Sequence, residues 1–142
     1  MKIVVPVLLV LFLAILCPAQ SYVTPVKPLS DAYIRQQIVG TWFLEEPVKP
    51  AGTHKLVMTM SADGTSVSKT SLILPKQTNE WNYAGKWEIK SGICSTTLTK
   101  SSAKNGKSDK VGTVESCKVL AVDANDLVEQ AGQQIIKLKR KK

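Results

Sequence analysis

The stretch "EWNYAGKWEIK", Glu80 to Lys90, alternates residue by residue between two kinds of side chain. Trp81, Tyr83, Gly85, Trp87 and Ile89 share one parity, while Glu80, Asn82, Lys86, Glu88 and Lys90 share the other. Successive side chains of an extended strand point to opposite faces, so this pattern predicts a strand with one buried and one wet face. Outward in both directions the same grammar continues. Ser91-Gly92 turns the chain into "ICSTTLTKS", Ile93 to Ser101. Upstream, "HKLVMTMSA" puts Leu56, Met58 and Met60 on one face. "ADGT", Ala62 to Thr65, is a hairpin signal that leads into "TSVSKTSLIL", which ends before Pro75. Downstream come the strand "VGTVESCKVLAV", a turn at "DAND", and a last hairpin of "DLVEQ" and "QQIIKLK" around Ala131-Gly132.

The phrase "IVGTWFLEE", Ile38 to Glu46, opens this series and shares Gly-x-Trp with the central strand. Before it, Ser30 or Asp31 is placed to cap a short helix carrying Tyr33, Ile34 and Gln37, with Gly40 as its stop. The reading is about eight short strands joined by tight turns, and no helix of crossover length lies between them. That predicts antiparallel pairing of neighbours and an all-β fold: an up-and-down barrel behind a short N-terminal helix, with a flattened sandwich as the alternative. Two tryptophans in two Gly-x-Trp phrases are expected to be two large plugs of one core.

The chain has 142 residues and starts with Lys2 and the uncharged run Ile3 to Leu16, followed by "CPAQ". This three-part layout predicts a signal peptide over 1–19, and hence a protein that is periplasmic or secreted. Residues 20–30, with two prolines in "SYVTPVKPLS", read as a linker. The barrel domain is expected over 31–138, with 139–142 as a basic tail. Cys94 and Cys117 remain after cleavage, and an exported chain with two cysteines is expected to pair them. A two-residue turn at Asn105-Gly106 pairs residues whose numbers sum to 211, which sets Cys94 opposite Cys117.

The formal charge is +8, and "KLKRKK", Lys137 to Lys142, holds five basic residues and no acid. Such a tail suits an anionic envelope polymer or lipid, or simply a solvated terminus. No aromatic residues interleave with it, and nucleic acid is not expected as a partner. Catalytic patterns are absent. His54 is the one histidine, there is no CxxC or HExxH, and "AKNGKS" lacks the glycines of a phosphate loop. Glu45 and Glu46 are adjacent on a strand and so face opposite sides. The expectation is a non-enzyme with no cofactor, no metal and a monomeric state.

"IVGTWFLEE", "HKLVMTMSADGTSVSK", "AGKWEIKSGICSTTLTKS" and "VLAVDANDLVEQ" together resemble the small bacterial lipocalin-like domains, over roughly Ile38 to Leu138. The resemblance implies a compact calycin-type barrel, usually exported, with no established general activity. Trp42, Met58, Met60, Trp81, Tyr83 and Trp87 are the candidate lining for a small apolar ligand, and Leu56, Ile89, Leu120 and Ile136 are expected on the same inner surface. The alternatives are a core filled by these same side chains, with function as an envelope interaction protein, or an inhibitor of a secreted enzyme. Either would act through loops and the N-terminal arm.

Overall fold

The computed structural model describes residues 28–142. The expected signal peptide and most of the expected linker lie outside the described residues. The elements run α1 (Asp31–Ile38), β1 (Gly40–Pro47), β2 (Thr53–Met60), β3 (Thr65–Ile73), β4 (Thr78–Lys90), β5 (Ile93–Lys104), β6 (Val114–Val122), β7 (Asp126–Ala131) and β8 (Gln134–Arg140). All eight strands are antiparallel to their neighbours, and β8 pairs back onto β1 to close the barrel. Closure through the short β1–β8 ladder removes the open edges that a flat sheet of these strands would present.

The alternating stretch is β4, and its odd-numbered residues from Trp81 to Ile89 are all buried. On β2, Leu56, Met58 and Met60 share the inward face, in register with Thr70, Ser68 and Ser66 of β3. The Asp-Gly turn forms as read: Gly64 takes a positive φ, and the Asp63 carboxylate accepts the Thr65 N–H at 2.9 Å. Two irregularities break the alternation. Thr99 is an extra residue on β5 between the pairs Ala84–Lys100 and Gly85–Leu98. A side chain at Gly85 would meet the Thr97 carbonyl at 2.8 Å, so glycine permits the close approach at this bulge. A second register shift at Leu120 corrects the expectation for that residue, because Val119 and Val122 take the buried inward places instead.

One end of the barrel is sealed by α1. Ser30 is the N-cap and accepts the Tyr33 N–H at 3.2 Å, while the C-cap is Val39, not Gly40. Because Ser30 caps the helix, the Asp31 carboxylate can reach across to the β4–β5 turn, where it accepts the N–H groups of Ser91 and Gly92 at 2.9 and 2.8 Å. These two bonds hold the Asp31 carboxyl below its ordinary value. Arg35 donates to the Ile89 carbonyl at 2.9 Å, which ties the helix to the same hairpin. Such a short helix is not stable alone, and its stability comes from these ties and from burying Ile34 and Ile38.

Arg140 locks the seal. Its guanidinium donates to the carbonyls of Val39 (2.8 Å), Gln37 (2.6 Å) and Ala124 (2.8 Å), and lies over the Trp42 ring at 4.1 Å. A side chain at Gly40, whose φ is +140°, would collide with that guanidinium. Lys139 and Arg140, read from sequence as tail, therefore belong to the closing strand.

Candidate functional site

The two Gly-x-Trp phrases supply one core, as expected. Trp42, Met60 and Trp87 are buried in a single cluster with Ile34, Ile38, Ile89 and Leu138 at the sealed end. The indole N–H of Trp42 donates to the Ile38 carbonyl at 2.7 Å, and that of Trp87 to the Ser61 and Thr65 carbonyls at 3.0 Å. Of the six candidate lining residues, these three fill space rather than border it. Met58 packs on the same cluster from its rim.

Trp81 and Tyr83 lie apart, in a second cluster with Leu98, against which Leu72 and Ala103 pack. This is the opposite end of the barrel, and the β5–β6 connection covers it. The connection spans residues 105–113, so Asn105-Gly106 begins a long loop rather than forming a two-residue turn. The Trp81 indole N–H donates to the Lys107 carbonyl at 3.2 Å, and Asn105 Nδ2 to the Thr78 carbonyl at 2.9 Å. Gly106 lies against the Trp81 ring, where a methyl group would sit at 3.2 Å. Farther along, Gly112 N–H reaches the Leu98 carbonyl at 2.8 Å.

Beneath this loop the inner surface turns polar. Ser68 and Thr70 of β3 stand in register with Tyr83 and Trp81. Tyr83 is 9% exposed, and its hydroxyl faces the Asp109 carboxylate as its hydrogen-bonding neighbour, while Ser101 Oγ has no partner. Burial drives the Tyr83 hydroxyl pKa upward, and the neighbouring Asp109 and Glu115 carboxylates add to the effect. Burial also raises the Glu115 carboxyl, with Asp109 as the second cause. Tyr83 and Ser101 further line an open concavity of about 410 Å³ with Asn82, Ala84, Lys100 and Ser102. Between the two ends sits Glu129, 7% exposed, whose carboxyl burial pushes up to about 7.

Cys94 and Cys117 pair in the expected register, and no disulfide joins them in this structure. Hydrogen bonds from Val119 N–H to Gly92 O and from Leu98 N–H to Thr113 O, both 2.9 Å, set the parity of this strand pair. Cys94 and Cys117 consequently occupy a hydrogen-bonded pair. Cβ atoms in such a pair stand near the wide end of the ~4.5–5.5 Å range, while a disulfide wants ~3.5–4.5 Å. Burial pushes each thiol up to about 12, so neither is a ready thiolate.

His54 belongs to β2, where its Nδ1 lies 3.2 Å from Glu46 Oε1. Glu45 faces the other way and pairs with Lys55 at 3.1 Å, as strand alternation requires. No group of three or more His, Cys, Asp or Glu among the described residues converges as a metal site. Glu115, Asp109, Ser101 and Glu129 were missed by sequence reasoning. A signal existed for Glu115, which shares parity with Cys117 and Val119 and so had to face inward with them.

Sequence comparison finds no matching family model and no matching curated relative. The fold itself defines the class: a closed eight-stranded antiparallel β-barrel, consistent with a calycin-like architecture.

Proposed function

We propose that this protein is an exported, non-enzymatic, lipocalin-like barrel that binds a small molecule with an apolar body in the half of its interior beneath the 105–113 loop. The observation that carries this reading is the small apolar cluster of Trp81, Tyr83 and Leu98 under a loop held to Trp81 by a single hydrogen bond, with the Ser101 hydroxyl buried beside it without a partner. A buried polar atom without a partner costs about 1–3 kcal/mol, and a ligand that supplies the missing bond recovers it. The sealed end is filled, so ligand contact is assigned to Trp81 and Tyr83, with Met58 below them, and not to Trp42, Met60 or Trp87.

Native mass spectrometry of the protein, purified after export without detergent, tests this. The expected result is an added mass that leaves on denaturation, together with a Trp emission change on its removal. A bare mass, with unchanged emission across a panel of small apolar probes, would turn attention to a second reading. In that reading the outer face of β1–β3 docks a partner protein, since Phe43, Val57 and Val67 are 39%, 38% and 56% exposed there. Removal of Lys141 and Lys142 would test whether the remaining basic terminus contributes to retention on anionic envelope polymer.

A further inference from the structure

We propose that the outer wall of the barrel over β3–β5 is a docking surface for an acidic, extended segment of a partner protein, which sets an apolar side chain into the hollow over Ala84 and its carboxylates against Lys86 and Lys100. This rests on the outer-face reading of the barrel and is independent of what the interior holds.

The hollow has a cause in the sequence. Thr99 is an extra residue on β5, and Gly85 lets the backbone of β5 close in at that point, so the strand pair bends there. Ala84 sits at the bend with a single methyl group, in register with Val67 on one side and Lys100 on the other. The outward side chains around it are longer. The result is the open concavity of about 410 Å³, to which Asn82, Lys100 and Ser102 contribute exposed residues. Val67 is 56% exposed at its edge, and Phe43 and Val57 continue the apolar surface across β1 and β2. Apolar surface that runs into a concavity on an otherwise polar wall marks a place of contact with another molecule.

The charge around the hollow is of one sign. Successive outward rows cross it as Val57–Lys69–Asn82–Ser102, Thr59–Val67–Ala84–Lys100 and Thr65–Lys86–Thr97–Val114, with a lysine in each row and no carboxylate in any. Lys69 reaches Glu80 at 2.8 Å, whereas Lys86 and Lys100 form no ion pair among the described residues. Glu88 lies beyond Lys86, on the side away from the hollow. A second copy of this chain would set lysine against lysine, and like charges disfavour that pairing. A membrane is met by apolar side chains that stand out of a surface, and the centre here is recessed. An extended polypeptide carries both chemistries at the required spacing. Its alternate side chains lie about 6.6 Å apart on one face, the same interval that separates Ala84 from Lys86 on β4. The lysine stems add apolar cover beside the paired carboxylates. The formal charge of +8 draws an acidic partner toward the barrel at long range. One hollow flanked by two unpaired lysines makes a transient contact rather than an obligate interface.

Backbone amide NMR of the full mature chain, titrated with capped heptapeptides, tests the proposal. One peptide alternates glutamate with leucine, a second glutamate with serine, and a third lysine with leucine. The expected result is that the glutamate–leucine peptide binds at least about tenfold more tightly than either of the others and loses affinity as salt rises. Its amide shifts should centre on 67–69, 82–86 and 97–102. Lys100→Glu should remove most of that binding and Val67→Ser should weaken it, with thermal unfolding unchanged, because both residues are exposed. Lys118→Glu makes the same change in net charge away from the hollow and should leave binding intact. Equal losses in the Lys100 and Lys118 variants, or equal binding of the lysine–leucine peptide, would overturn the acidic-segment assignment. Shifts confined to β1 and β2 would overturn it while leaving the outer-face reading standing, and no shift anywhere on the outer wall would overturn both. Retention on vesicles of phosphatidylcholine and phosphatidylglycerol that is lost in the Lys100 variant, without peptide binding, would overturn the peptide partner in favour of a membrane.

Discussion

The two ends of this barrel are closed by different means. At the α1 end the principal polar groups have defined partners: Trp42 and Trp87 donate to carbonyls, Arg140 donates to four, and Asp31 accepts two N–H groups. The apolar side chains between them form one dry cluster. At the other end a loop lies across the opening, the apolar cluster is small, and the Ser101 hydroxyl is buried without a partner. Satisfied polar groups around an apolar core make a stability element, and the loop-covered end is the one to which the proposed function assigns a ligand. The contrast separates the two Gly-x-Trp indoles, which build the filled end, from Trp81 and Tyr83, which lie in the smaller cluster under the loop.

Substitutions can break or sharpen this contrast. Trp42→Ala should have the largest effect, a loss of about 3–5 kcal/mol in urea unfolding, because it empties a fully buried position and strands the Ile38 carbonyl. The same change at Trp81, packed in a smaller cluster, should cost clearly less, and equal losses would erase the difference between the ends. Glu129 supplies the next effect. Its carboxyl is near 7 in the folded chain and near the ordinary 4.5 when unfolded, so the folded state binds the proton more tightly. Stability is then full below about pH 4.5 and falls as pH rises toward 7, by on the order of 3 kcal/mol. Glu129→Gln should flatten that decline and leave the variant more stable than the parent at pH 8, as read from unfolding midpoints across pH.

Arg140→Met keeps an apolar stem over Trp42 but leaves the Val39, Gln37 and Ala124 carbonyls without their donor. A loss of about 2 kcal/mol is expected, with faster amide exchange in α1 as the local readout. Tyr83→Phe should have the smallest effect. Deleting a buried hydroxyl whose neighbour, the Asp109 carboxylate, is open enough to be rehydrated should change stability by less than about 1 kcal/mol in ligand-free protein, while weakening ligand binding. A destabilised Tyr83→Phe variant would show that the hydroxyl is structurally engaged and that the two ends are more alike than they look.

Much of the fold was legible in the sequence. The alternation in Glu80–Lys90, the Asp63-Gly64 turn and the Ser91-Gly92 turn all rest on interactions among near neighbours in the chain, and all are found. Leu120 was misread because an irregularity two residues from an inward valine reverses which side chain faces in. The cysteine register was readable, but the disulfide did not follow from it, because opposed pairs come in two spacings and the hydrogen-bond parity selects the wider one. The candidate site was half legible. Trp81 and Tyr83 announced themselves by size, whereas nothing singled out Glu115 and Glu129, since a carboxylate ordinarily marks an outward face.

The sequence by itself determined eight strands, their antiparallel order and the inward set on the central strand, because side-chain parity and turn chemistry act over a few residues. Tertiary structure alone decided which end of the barrel is filled and which is covered. That choice depends on where Asp31, Arg35 and Arg140 find carbonyls and N–H groups as many as 103 residues away, and on a nine-residue loop that folds back over Trp81. Only closure of β8 onto β1 brings Glu129 and Glu115 inside. Burial is a property of the whole surface around a group, and no local pattern contains it.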